Sequence, residues 1–263
     1  MSSRQEKMEA FGRILDIMDE LREKCPWDRE QTMDSLRNLT IEETYELADA
    51  IIDKDMPEIK TELGDLLLHI VFYSKIGEEE NSFDITDVIN TVNEKLVFRH
   101  PHVFGERVVS GSKEVISNWE ELKMKENNGT KRVLSGVPTS LPALIKAHRI
   151  QDKVRAVGFD WADRDDVWEK VAEEIEEVRT EIASGEKDRT EKEFGDLLFS
   201  IVNAARLYEV EPETALERTN KKFIYRFNYI EEHARSNGRS IKEMTLREME
   251  DLWVEAKLKR EGK

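Results

Sequence analysis

Apolar residues recur at helical spacing through most of the chain, and turn-forming residues separate these stretches. Helix starts are predicted at Ile41 after the capping-box residue Thr40, at Pro57, Asp84, Pro142 and Pro212, and after the second capping-box residue, Thr245. No convincing alternation of period two indicates a strand. The expected fold class is therefore all-α, built from helix hairpins.

Five acidic residues form a spaced pattern that occurs twice, each second member lying 131 residues after its counterpart. The first copy comprises Glu42, Glu43, Glu46, Glu62 and Asp65, and the second comprises Glu173, Glu174, Glu177, Glu193 and Asp196. Gly64, Leu66 and Leu67 recur at the same offset. The pattern predicts a tandem repeat of two helical units, residues 1–126 and 140–263, joined by a polar linker over 127–139.

The spacing of these acids indicates a cation site in each unit. Glu43 and Glu46 share a face of one predicted helix, and Glu62 and Asp65 share a face of the next. Two carboxylates 4 Å apart repel by about 4 kcal/mol at an effective dielectric near 20, so protonation, outward splaying or a bound cation must relieve them. Carboxylate oxygens suit Mg²⁺ first and Mn²⁺ next. The alternative is a solvated acidic helix face, but core packing alone would not preserve the acids in both copies.

A second repeated set carries positive charge. Asn93, Lys95 and Arg99 recur 127 residues later, and Trp119 and Lys123 recur 134 residues later. Their counterparts are Asn220, Lys222, Arg226, Trp253 and Lys257. Lysine and arginine can hold phosphate oxygens that a metal ion leaves exposed. The alternatives are pairing with surface acids for the basic residues and burial in the core for the two tryptophans.

Composition and missing motifs narrow the function further. The net charge of −16 argues against a general nucleic-acid binder. The single cysteine, Cys25, excludes an internal disulfide, and no stretch approaches the length of a membrane span, so a cytoplasmic protein is expected. The phosphate loop of Walker-type enzymes, a His-Asp dipeptide and the Glu-x-x-His motif of ferritin-like di-iron bundles are all absent.

The motifs, taken in order, resemble the all-α nucleoside triphosphate pyrophosphohydrolases of the MazG type. The resemblance covers nearly the whole chain and rests on CPWD from Cys25, EETYE from Glu42, ELGD from Glu62, RHPHVF from Arg99, GFDW from Gly158 and EFGD from Glu193. It implies Mg²⁺-dependent hydrolysis of NTPs and dNTPs to monophosphate and pyrophosphate, with broad base tolerance and a role in cleaning the nucleotide pool. It also implies a homodimer, which would complete four-helix-bundle cores.

The resemblance also implies roles for individual residues. The metal ligands would be Glu174, Glu177, Glu193 and Asp196, with the first-unit counterparts Glu43, Glu46, Glu62 and Asp65. Lys222 and Arg226 would hold the phosphates, and Trp253 with Lys257 would close the site; Lys95, Arg99, Trp119 and Lys123 correspond to them. The candidate general base is Glu173 or Glu174, because the carboxylates outnumber the needs of one ion.

The second unit has the more favourable charge for a polyanionic substrate. Arg189 and Lys192 stand where the first unit has Glu58 and Thr61, and Lys221 stands where it has Glu94. We therefore expect the second unit to carry most of the activity. Two alternatives stay open, namely an enzyme narrow for dUTP, dCTP or a damaged nucleotide, and a helical scaffold with vestigial metal sites.

Overall fold

The computed structural model describes residues 1–111, 114, 115, 118, 119, 122 and 132–261. The chain divides into two compact units, Met1–Lys123 and Met124–Lys263. Within the described residues all regular structure is helical and no strand occurs, which confirms the predicted all-α class. Of the predicted linker, residues 127–131 lie outside the described part, and a single 3₁₀ turn covers Val133–Gly136.

Over residues 1–111 the first unit has four long helices and two short ones. They are α1 (Arg4–Lys24), α2 (Pro26–Glu30), α3 (Met33–Asp53), α4 (Met56–Glu79), α5 (Ile85–Arg99) and α6 (Pro101–Phe104). Val115, Trp119 and Leu122 are also helical. The core comprises Met18, Leu36, Val71, Phe72 and Ile76, so α1, α3 and α4 pack around one cluster.

One predicted helix start is wrong. The helix that was expected to begin at Ile41 begins at Met33 and is capped by Thr32, whose hydroxyl accepts a hydrogen bond from the Ser35 backbone N–H at 3.2 Å. Thr40 lies inside α3, and its hydroxyl donates to the Leu36 carbonyl at 3.0 Å instead of capping. The physical reason is burial, because Leu36 reaches the core from the first turn of α3, with 2% of its surface exposed, and the helix must start before it.

Over residues 132–261 the second unit has five long helices. They are α7 (Ala143–Arg155), α8 (Val167–Ser184), α9 (Lys187–Leu207), α10 (Pro212–Ser236) and α11 (Leu246–Glu261). Its best-buried cluster is Val167, Val171 and Ala204, which joins α8 to α9. The capping box predicted at Thr245 forms, since Glu248 accepts from the Thr245 backbone N–H at 2.7 Å and Thr245 accepts in return at 3.3 Å.

A tight helix hairpin forms the centre of each unit. Lys54 and Asp55 connect α3 to α4, and Gly185 and Glu186 connect α8 to α9. Both connections turn through the left-handed region, with φ of 58° at Lys54 and 76° at Gly185. Glycine adopts this conformation without steric cost, whereas a lysine there is uncommon. The two-residue connections make the helices antiparallel neighbours and bring their acidic faces together.

Candidate active site

Three carboxylates converge in each hairpin. In the first unit, carboxylate oxygens of Glu43, Glu62 and Asp65 lie within 4.8 Å of one another. In the second unit, the converging residues are Glu174, Glu177 and Glu193. The two clusters share the positions of Glu43 with Glu174 and of Glu62 with Glu193, but they differ in the third member. The repeated sequence therefore produces two similar sites that are not identical.

The remaining predicted acids lie outside these two clusters. Glu46 lies on the exposed side of α3, and its negative charge still acts on Glu62. Asp196 lies exposed on α9, three residues beyond Glu193. Each hairpin thus assembles three of its four predicted metal ligands and leaves the fourth on the adjoining surface.

One acid in each cluster is almost completely buried. Glu62 is 4% exposed and Glu174 is 5% exposed. Within the described residues, the Oε2 atoms of both are buried and have no hydrogen-bond partner. A buried carboxylate oxygen without a partner is costly, and it is the kind of group that a cation would satisfy. The buried acid lies on the second helix of the first hairpin but on the first helix of the second hairpin.

Burial and mutual repulsion raise the pKa of one carboxyl group in each cluster. The pKa of Glu62 is raised by desolvation and then by the negative charges of Glu46, Glu43, Glu58 and Asp65. The pKa of Glu177 is raised by desolvation and then by the charge of Glu174, against which Lys170 acts in the opposite direction. Both clusters therefore concentrate more negative charge than the surrounding protein neutralises.

Lys170 lies against the second acidic cluster, and the sequence pattern did not single it out. Its ammonium group lies 2.8 Å from Glu174 Oε1 and 3.0 Å from Glu173 Oε1, and these two contacts raise the pKa of the lysine. The sequence could have indicated these contacts, because the lysine precedes one glutamate by three residues and the next by four on one helix. The matching position in the first unit is Leu39, which packs against the core. Only the second unit therefore places a lysine at this position.

In both units the repeated arginine makes a cation–π contact with the repeated tryptophan. The Arg99 guanidinium carbon lies 5.6 Å from the centre of the Trp119 ring, and that of Arg226 lies 5.2 Å from the Trp253 ring. Phe223, which the sequence reasoning did not select, packs edge-on against Trp253 at 4.9 Å. The Nε atom of Arg226 is buried and has no hydrogen-bond partner among the described residues. It is thus a donor that could serve an anionic ligand.

The remaining predicted cations lie on exposed helix surfaces. Lys95 is on α5, Lys222 on α10 and Lys257 on α11. Arg189 and Lys192 are on the first two turns of α9, before Glu193. Lys123 lies outside the described residues. Long exposed side chains of this kind can extend their charged heads toward a bound polyanion.

The donor set of the two clusters fits a small hard cation. All the converging ligand atoms are carboxylate oxygens, the type that Mg²⁺ and Mn²⁺ prefer. Mg²⁺ holds oxygen at about 2.1 Å, so two ligands of one ion lie at most about 4.2 Å apart. Oxygens within 4.8 Å of one another can reach that distance by small side-chain rotations. The unpartnered Oε2 atoms of Glu62 and Glu174 would gain a ligand by doing so.

Comparison with known proteins identifies relatives that match nearly the whole chain. A family model described as the MazG nucleotide pyrophosphohydrolase domain matches residues 31–104 and 164–230, one segment in each unit. The chain is 42% identical to a Thermotoga maritima protein named nucleoside triphosphate pyrophosphohydrolase/pyrophosphatase MazG, over 94% of this chain and 95% of that protein. It is 40% identical to an Escherichia coli K12 protein named nucleoside triphosphate pyrophosphohydrolase, over 95% and 98%.

In the described part of the chain, no helix combines the length and the apolar character that crossing a bilayer requires.

Proposed function

The chain belongs to the MazG nucleotide pyrophosphohydrolase family, and on that premise we propose that it hydrolyses nucleoside triphosphates to monophosphates and pyrophosphate. The observation that carries the proposal is that each acidic cluster holds a buried carboxylate oxygen, Oε2 of Glu62 or of Glu174, without a hydrogen-bond partner among the described residues. A magnesium-bound triphosphate would supply a cation to this oxygen. Its phosphates would suit the cationic side chains nearby on the chain. Mn²⁺ would serve as a substitute for Mg²⁺.

We assign the chemistry to the side chains of the second unit as follows. Lys222, Arg226, Arg189 and Lys192 would bind phosphate oxygens, and Trp253 with Lys257 would close over the nucleotide. A bound Mg²⁺ would supply Lewis-acid polarisation of the phosphate oxygens. The oxygen of an attacking water forms a bond to the α-phosphorus, while the bond from that phosphorus to the bridging oxygen breaks and pyrophosphate leaves.

The proton from the attacking water needs an acceptor, for which Glu173 and Glu174 are the candidates. Both carboxylates contact Lys170, at 3.0 and 2.8 Å. An ammonium that donates to a carboxylate reduces its ability to take a proton, so Lys170 must shift when either group acts as base. Glu173 is exposed and can accept a proton from solvent-side water, whereas Glu174 is 5% exposed and suits metal binding better.

The second unit should carry most of the activity. Around the second cluster, Lys170, Arg189 and Lys192 supply positive charge. The first unit has Leu39, Glu58 and Thr61 at these positions, and the Glu58 charge contributes to the raised pKa of Glu62. A triphosphate carries several negative charges, so the surroundings of the second cluster favour its binding and those of the first oppose it.

An exposed apolar stripe supports a homodimer. Leu63, Leu67 and Ile70 on α4 are 53%, 36% and 47% exposed. Their counterparts Phe194, Leu198 and Ile201 on α9 are 46%, 54% and 45% exposed. Residues at this spacing form one helix face, and a two-helix hairpin with an apolar face is stabilised by a second hairpin that covers it. The mass of one chain is 30.7 kDa, and light scattering coupled to size exclusion should give twice that value.

We also propose that the enzyme tolerates several bases and acts in the cytoplasm, where nucleoside triphosphates are made and used. The test is a screen of pyrophosphate release from each NTP and dNTP with Mg²⁺ or Mn²⁺. Comparable release from several bases is expected, and competition between nucleotides would reveal a narrow enzyme instead. Absence of release from every nucleotide would favour the scaffold alternative.

A matched pair of variants tests the ranking of the two units. Glu177→Ala should abolish most of the pyrophosphate release, whereas Glu46→Ala at the equivalent position should leave most of it. A greater loss from Glu46→Ala would overturn the assignment to the second unit. Glu174→Gln with unchanged turnover and unchanged metal binding would exclude Glu174 as the base.

A further inference from the structure

Three side chains of the second unit form a closed hydrogen-bonded set between α10 and α11, called here the Tyr229 network (Tyr229, Glu255 and Lys259). Lys259 Nζ donates to the Tyr229 hydroxyl at 2.6 Å, and that hydroxyl donates to Glu255 Oε1 at 2.7 Å. Lys259 Nζ also lies 2.9 Å from Glu255 Oε1 and 4.6 Å from the centre of the Tyr229 ring. An ammonium only donates and a carboxylate only accepts, so the single hydroxyl proton is used once and every direction agrees.

A second contact holds the start of α11. Arg239, in the turn after α10, donates from Nη1 to Glu248 Oε1 at 2.9 Å and from Nη2 to the Glu243 carbonyl at 2.9 Å. Glu248 lies in the first turn of α11. The helix is therefore anchored at its start by Arg239 and in its C-terminal half by the Tyr229 network. Trp253 lies between these two anchors along the helix.

The Tyr229 network and Trp253 lie on opposite flanks of α11. Each residue of an α-helix is rotated by about 100° from the one before. Ala256 is 0% exposed and marks the inward line of the helix. Relative to Ala256, Trp253 and Lys257 lie on one flank, and Glu255 and Lys259 lie on the other. A contact that holds the second flank therefore fixes the rotation of α11 about its own axis, and with it the direction of the first flank.

The contacts of Trp253 depend on that rotation. Its ring lies 5.2 Å from the Arg226 guanidinium carbon and packs edge-on against Phe223 at 4.9 Å. Lys222, Arg226 and Tyr229 share one face of α10, because they are separated by four and then three residues. The face that carries the proposed phosphate-binding cations therefore also carries the hydroxyl that orients α11.

The first unit differs at the position of Tyr229. By the repeat offset of 127 the equivalent residue is His102. It lies on the short helix α6, because α5 ends at Arg99, whereas α10 continues without a break past Arg226 to Ser236. The helix turn that presents the Tyr229 hydroxyl is thus a feature of the unit to which we assign most of the activity.

We propose that Tyr229 is a positioning residue for hydrolysis in the second unit; this rests on the proposed pyrophosphohydrolase function. Through Glu255 and Lys259 it sets the rotation of α11, and that rotation places Trp253 and Lys257 where they close over the nucleotide. Tyr229 itself contacts no reacting atom. Its loss should weaken nucleotide binding and leave the chemical step in place.

The kinetic test is Tyr229→Phe, which keeps the ring and removes the hydroxyl. The KM for ATP should rise by about 3- to 10-fold, the size that a few exposed charged contacts together can account for. The kcat should stay within about twofold, because binding and not chemistry is affected. Both Glu255 and Lys259 are about half exposed, so Tm should fall by no more than about 4 °C. An unchanged KM, or a loss confined to kcat, would overturn the proposal.

A matched control and a rescue separate positioning from a general loss of hydrogen bonding. The Tyr208 hydroxyl donates to Asp165 at 2.6 Å and accepts from Trp168 at 3.0 Å, and neither partner lies on α10 or α11. Tyr208→Phe should therefore leave the KM unchanged. Lys259→Met should raise the KM, and Lys259→Arg, which still donates to both partners, should restore most of it. An equal rise in Tyr208→Phe, or no difference between the two Lys259 variants, would contradict the proposal.

A fluorescence measurement separates this inference from the proposed function, because it needs neither nucleotide nor turnover. The share of Trp253 is the difference between the emission of a chain and that of the same chain with Trp253→Phe. Acrylamide should quench this share more strongly in Tyr229→Phe than in the unchanged chain, and equally in Tyr208→Phe and the unchanged chain. Identical quenching in all three would refute the positioning role. Failure of the proposed function would show instead as no pyrophosphate release from any nucleotide by the unchanged chain.

Discussion

Replacing Lys170 with methionine tests whether the second acidic cluster depends on a cation. The ammonium group of Lys170 contacts Glu174 at 2.8 Å and Glu173 at 3.0 Å. Glu174 is 5% exposed, and its other oxygen has no partner in the described part of the chain. Lys170→Met keeps the apolar stem and removes the charge, so a nearly buried carboxylate loses the counter-charge that Lys170 supplies.

The expected loss of stability lies between two limits. Exposed ion pairs contribute about 0.2–1 kcal/mol, and breaking a fully buried pair costs about 3–5 kcal/mol. This pair is intermediate, because 37% of the Lys170 side chain is exposed against 6% for Glu174. We expect a loss of about 1–2 kcal/mol. For a unit of this size that corresponds to a fall in Tm of about 4–8 °C.

The assay is thermal unfolding followed by circular dichroism, with EDTA and with saturating Mg²⁺. In EDTA the full fall in Tm should appear, whereas Mg²⁺ should remove most of it, because a bound cation then neutralises the carboxylates. Arg179→Met is the control, since Arg179 pairs with Glu176 on the same helix and both side chains are about two-thirds exposed. It should lower Tm little, and equally in both buffers.

The result that would refute this reasoning is a fall in Tm for Lys170→Met that is the same with and without Mg²⁺. Lys170 would then stabilise α8 by packing or by helix pairing alone. The acidic cluster would not need a cation for its stability, and the unpartnered Glu174 oxygen would not indicate a cation site.

Three further predictions concern the fold. Phe72→Ala should cost about 3–5 kcal/mol in the free energy of unfolding measured in urea, because Phe72 is 2% exposed in the first core; a cost below about 1 kcal/mol would contradict that packing. Thr32→Ala should cost about 1 kcal/mol by removing the α3 cap, and no change would favour a later helix start. Contacts with Arg239 and Thr245 lower the pKa of Glu248 to about 2, so its stabilisation is complete above pH 4.5 and is lost as the pH falls toward 2. The stability advantage of the native chain over Glu248→Gln should therefore be smaller at pH 3.5 than at pH 6, and an advantage that grows on acidification would refute it.

The helices and the general location of the acidic sites could be predicted from the sequence. The spacing of three residues alone places Glu43 with Glu46, and Glu62 with Asp65, on one helix face. Short connections make adjacent helices pack antiparallel. The early start of α3 could not be predicted from the same pattern. The residue types from Thr40 to Glu43 fit the capping-box pattern of a helix start. The burial of Leu36 against α1 and α4, however, decides where the helix begins.

What only the tertiary structure decided is which members of a repeated set meet. Glu62 and Glu193 occupy equivalent positions of the repeat. The packing around each hairpin nevertheless buries Glu62 in the first unit and Glu174, which is not its equivalent, in the second. The same packing leaves Gln151 with a buried acceptor beside Phe199 of another helix. Periodicity determines the face of a helix on which a residue lies, because that depends on its own backbone. Burial and partnership depend on side chains from other helices, and these are brought together only by the fold.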